Sequence, residues 1–102
     1  MDTYVITRRG AWGSAEELGT AAARSKKVGE EQMSEDIRWI RSYVLSEPDG
    51  RLGTVCIYEA SSPEAIREHA RRADLAADEI IPVADTVIIQ PDLLSASAGT
   101  GP

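Results

Sequence analysis

Over 37–60 the chain has little choice but to fold back on itself. Glu47-Pro48-Asp49-Gly50 places a proline, whose ring fixes φ, before an Asp-Gly pair that accepts positive φ, which is strong hairpin punctuation. On one side of this turn, 37–46 alternates Trp39, Arg41, Tyr43 and Leu45 with Ile40, Ser42 and Val44. On the other, 52–60 is β-branched and aromatic through Thr54, Val55, Cys56, Ile57 and Tyr58. The expectation is two antiparallel strands joined by a tight turn.

Side chains of a strand alternate between two faces. Packing Ile40 and Val44 inward with Val55 and Ile57 puts Trp39, Arg41, Tyr43, Cys56 and Tyr58 together on the opposite face. A face of aromatics with one guanidinium is either a subunit interface or the lining of a pocket. A slip of one residue would exchange the two faces.

The remaining elements fall on either side of the hairpin. Tyr4-Val5-Ile6-Thr7 is an apolar run within 3–9 that suits a central strand. Ser14-Ala15-Glu16-Glu17 has the Ser-x-x-Glu spacing of a helix start, predicting a helix over 15–28 that packs through Leu18, Ala21, Ala22, Ser25 and Val28. The charged stretch 29–36 either continues that helix or crosses to the hairpin. Ser61-Ser62-Pro63-Glu64 opens a second helix running to about Ala73, with Ile66, Ala70 and Ala73 on one stripe and His69 at its edge. A last strand is expected over 80–89, with Pro82 suited to its start or to an edge, and the Ser, Ala and Gly of 93–102 predict a disordered tail after a domain over 1–92. Strand, helix, strand, strand, helix, strand is the ferredoxin-like α+β order, a four-stranded antiparallel sheet with two helices on one face. Two helices leave the other face open, and a homodimer packed sheet against sheet is the economical cover.

A single chain of 102 residues with formal charge −6 lacks the basic excess that nonspecific binding to nucleic acid or to an anionic membrane requires. No apolar run approaches the roughly 20 residues that span a bilayer, and the chain begins with an acid rather than a basic signal-peptide start. Cys56 has no partner cysteine, which fits a reducing, cytoplasmic setting. The phosphate-cradling loop, the C-x-x-C, H-E-x-x-H and G-x-S-x-G patterns are all missing from the sequence, so no catalytic residue is assigned and an enzymatic role stays open.

Two segments carry a resemblance: Trp39-Ile40-Arg41-Ser42-Tyr43-Val44, and Cys56-Ile57-Tyr58-Glu59-Ala60 continuing through Ser62-Pro63-Glu64-Ala65-Ile66-Arg67 to His69. With Leu75-Ala76-Ala77-Asp78-Glu79-Ile80-Ile81-Pro82-Val83 they make the chain similar to a small bacterial family catalogued as a domain of unknown function and often labelled nickel-binding protein. The resemblance implies a ferredoxin-like fold of the dimeric α-β barrel type, a homodimer and nickel as a bound metal. Arg41 stands where relatives commonly carry a histidine, and a guanidinium ligates nothing, so His69 is the family histidine that remains as a metal contact. The residues themselves leave two further readings. Trp39, Arg41, Tyr43 and Tyr58, with Cys56, line a pocket for a small organic ligand in a carrier or a small enzyme; or the same cluster is a plain interface and Cys56 a packed small hydrophobe.

Overall fold

In the computed structural model, residues 1–90 are described. They form β1 (Asp2–Trp12), α1 (Ala15–Glu31), β2 (Ile37–Ser46), β3 (Leu52–Ala60), α2 (Pro63–Arg72) and β4 (Glu79–Pro82). The sheet runs β2-β3-β1-β4 with every neighbouring pair antiparallel, which is the ferredoxin-like arrangement the element order predicts. Among the described residues no helix is long and apolar enough to cross a membrane.

Local chemistry accounts for where the helices start and stop. Ser14 Oγ accepts from the Glu17 amide, and Glu17 reaches back to the Gly13 amide at 2.7 Å, so two otherwise free donors are met at the start of α1. The helix continues past Val28 through Glu31, taking up part of the charged stretch, and Met33 then packs into the core while its carbonyl accepts from Asp36 and Ile37. Ser62 caps α2, with Pro63 at its first position. The helix ends in a Schellman turn: the Leu75 amide donates to the Ala70 carbonyl at 2.8 Å, the Asp74 amide donates to Arg71, and Asp74 takes φ of 56°.

The core lies between the helices and one sheet face, where Tyr4, Ile6, Cys56, Tyr58 and Ala60 meet Val28, Met33, Ile66 and Ala73. Burying Ile66 alone is worth about 2 kcal/mol or more, and its exposure is 0%.

Two departures from the sequence expectation bear on function. The last strand ends at Pro82 instead of Ile89. It pairs with β1 from Thr7↔Glu79 to Tyr4↔Pro82, Val83 adds one bond to the Thr3 carbonyl, and β1 itself starts at Asp2, so later residues have no strand to pair with. The second departure is a bulge in β2. Trp39 pairs with Tyr58 but Arg41 with Ile57, so two steps on β2 oppose one on β3 and Ile40 is the extra residue. The expected tail, 93–102, and the domain limit at 92 lie outside the described residues.

Candidate functional site

The bulge divides the expected cluster. Upstream of it, Trp39 points to the helix side, stacked on Tyr58 with ring centroids 6.1 Å apart. Past it, Arg41↔Ile57 and Tyr43↔Val55 fall on the open face, while Ser42↔Cys56 and Val44↔Thr54 stay on the helix side. Trp39, Cys56 and Tyr58 therefore share the helix face, and Arg41 and Tyr43 lie behind the sheet. Ile57 and Val55, expected to face the helices, are on the open face, and Ile40 is 37% exposed. The inserted residue flips the parity of β2 beyond it, which parts Arg41 and Tyr43 from Trp39; on β3 the expected faces are simply reversed, with Cys56 and Tyr58 in the core that Val55 and Ile57 were expected to fill.

On the helix side a chamber of about 270 Å³ lies between α1 and the sheet. Trp12, Leu18, Ala21, Ala22, Val44 and Leu75 supply apolar wall, joined by Trp39, Cys56 and Tyr58. The small residues of α1 leave this space open, because alanine in place of a larger side chain holds the helix close without filling the gap.

Arg8 is the polar centre of the chamber. It shares the face of Tyr4 and Ile6 on β1 and is 2% exposed. Its Nε donates to the Ala76 carbonyl at 2.5 Å and its Nη1 to Cys56 Sγ at 3.4 Å, while Nη2 has no partner. Thr54, 3% exposed, also leaves its hydroxyl without a partner. A chain of bonds runs round the wall beside them: Trp39 Nε1 donates to Ser42 Oγ at 2.8 Å, and Ser42 Oγ donates to Cys56 Sγ at 3.0 Å.

Ser25 and Trp39 separate this chamber from a second hollow of about 400 Å³ near Met1, Gly29, Ser34 and Ile37, which His69 also lines. His69, expected at the edge of its helix, is 1% exposed and packed edge-on to Tyr58. Its Nε2 donates to the Ser25 carbonyl at 3.0 Å, which sets the tautomer because a carbonyl only accepts, and leaves Nδ1 a buried acceptor without a donor. Burial holds the imidazole below its usual range, with the Arg8 charge adding to the effect and the Ser25 carbonyl opposing it. Burial likewise raises the Tyr58 phenol, against its bond to Ser25, so Tyr58 stays neutral beside Arg8.

Sequence reasoning missed Arg8 and Thr54 as site residues; it placed Ser25 on the packing face of α1, where it is buried, without its bonds to Tyr58 and His69. The signal for Arg8 was present: parity places Tyr4, Ile6 and Arg8 on one face, and an arginine in line with two core residues is unusual.

Residues 4–83 match the model of a family described as nickel responsive protein, SCO4226-like. The chain belongs to this family. A solved relative is the crystal structure of SCO4226 from Streptomyces coelicolor A3(2), which superposes with a TM-score of 0.65 at 23% identity over 83% of this chain and 99% of that one, a likeness of fold. No curated protein matches.

The family description names nickel. Nickel(II) takes imidazole nitrogens with carboxylates or other strong donors completing the shell. Here His69 has Ser25, Tyr58 and Gly29 for neighbours, and Cys56 sits between Arg8 and Ser42. Among the described residues no three His, Cys, Asp or Glu side chains come together to hold an ion. One copy of the chain does not supply a nickel site from these residues.

Proposed function

We propose that this chain is a binding protein that works as a homodimer in the reducing cytoplasm and takes a small organic guest into the chamber between α1 and the sheet. The chamber carries the reading. It is near the small end of ligand-pocket volumes, and its wall of tryptophan, leucine, valine and alanine with a few polar groups is the usual chemistry of a site for small molecules. The open sheet face supports the dimer, since Ile40, Tyr43 and Ile81 are exposed on it or at its edge and both helices lie on the other side. Both tryptophans of the chain, Trp12 and Trp39, line the chamber, so their emission reads it directly. Titration with phenylpropanol and phenylpropionate should give a saturable change with at least one, abolished by Ala22→Phe, which fills the space. Flat titrations with both would remove this reading.

The family description favours a second reading, in which nickel is the guest and two copies complete a site that one chain lacks, with His69 as this chain's contribution. Native mass spectra of untagged protein with added nickel test it: uptake by a dimer, lost in His69→Ala, supports it, and a dimer that takes up none rules it out.

A further inference from the structure

Resting on the reading of the chamber as an organic binding site, we propose that its guest is a small organic acid, whose carboxylate is held by Arg8 and Thr54 and whose apolar body lies against Trp12, Leu18 and Ala22. Burying a guanidinium without a counter-charge is costly, and proteins ordinarily meet that cost with a paired acid. No acidic side chain pairs with Arg8 among the described residues: it bonds a carbonyl and a sulfur, and the Tyr58 phenol beside it is neutral. The Arg8 Nη2 and the Thr54 hydroxyl are both buried and both unpartnered, and Arg8 and Thr54 are both among the residues that line the chamber.

They are also neighbours by register. Arg8 and Thr54 stand directly opposite on β1 and β3 and face the same side, the arrangement that brings paired side chains within reach of one ligand group. A carboxylate accepts only, offers two oxygens and carries the charge Arg8 lacks. An alcohol meets the hydrogen bonds but not the charge, and an amine adds a second cation beside the first. No acidic side chain appears in the chamber lining to compete for Arg8.

The test compares phenylpropionate, phenylpropanol and phenylpropylamine at neutral pH, read by tryptophan emission on the full-length protein. The acid should bind at least about tenfold tighter than the alcohol, the size expected for a charge-assisted bond to a buried partner, and the amine should bind weakest. Arg8→Met, which keeps the apolar volume, should erase the preference for the acid, because the acid loses a charge-assisted bond and the alcohol only a neutral one. Should that variant fail to fold, the near-isosteric Thr54→Val should still weaken acid and alcohol alike by several-fold, because both use that hydroxyl, and leave the preference for the acid in place; an unchanged affinity for the acid would overturn the role of Thr54. Equal binding of acid and alcohol would overturn the carboxylate assignment and leave the chamber standing. Binding of neither would overturn the chamber with it.

Discussion

At His69, burial decides the protonation state, and stability should follow pH accordingly. In the unfolded chain the imidazole takes a proton near its usual 6.5, whereas in the fold it does so only at lower pH. Between those two values the unfolded state binds the extra proton, so stability falls as pH drops below about 6.5, by at most about 1.4 kcal/mol per pH unit. Denaturant melts from pH 7.5 to 5 on wild type and His69→Gln should show this slope in the first and a flatter line in the second. Two backbone positions are equally pointed. A Cβ at Gly53 would meet the Arg8 carbonyl and Glu47 Oε2 at 2.7 Å, so Gly53→Ala should cost about 1–3 kcal/mol in chemical denaturation. Asp74 is a non-glycine residue at the left-handed position of the turn ending α2, and Asp74→Gly should stabilise by about 0.5–1 kcal/mol. An unchanged midpoint would mean that the aspartate side chain compensates.

At the scale of elements, the hairpin is tied to the far end of β1 by one carboxylate. Glu47 closes the hairpin turn, accepts from Arg9 through Nε and Nη2, and accepts from the Gly10 amide at 2.7 Å. Arg9 holds that carboxyl below the usual carboxylate range, so the tie is complete above about pH 4.5 and is lost on further acidification. Glu47→Gln should keep a hydrogen bond and lose the ion pair, lowering the melting temperature at neutral pH and removing most of the acid sensitivity below pH 4.5 that this group contributes. Helix α2 carries a comparable device on its surface, where Arg71 and Arg72 push Glu68 down to about 2, but exposed pairs of this kind contribute little and weaken with salt. Both strands of the hairpin and the starts of both helices were legible because turn and cap chemistry is local. The bulge at Ile40 was not, since nothing in Trp39-Ile40-Arg41 distinguishes an inserted residue from an alternating one, and the site prediction turned on it.

For the whole molecule, the open face of the sheet sets the expected assembly. Arg41, Tyr43, Ile57 and Thr3, with the segment from Val83 to Gln90, border a broad hollow there, and Val87, Ile88 and Ile89 are 76–86% exposed. Sedimentation should report a dimer at micromolar concentration, and Tyr43→Asp should shift it to monomer without disturbing the phenylpropionate response, because Tyr43 and the chamber lie on opposite faces of the sheet. Loss of that response together with the dimer would place the guest at the dimer contact instead.

The sequence by itself determined the element order, the hairpin turn, both helix starts and the resemblance that family membership bears out, because each depends on residues within a few positions of one another. Only the tertiary structure decided that Arg8 and Thr54 face each other across β1 and β3, that Ser25 meets Tyr58 and His69, and that Arg41 parts company with Trp39. Those depend on register, and register is set by pairings between residues dozens of positions apart, where a single inserted residue reverses which face a side chain serves.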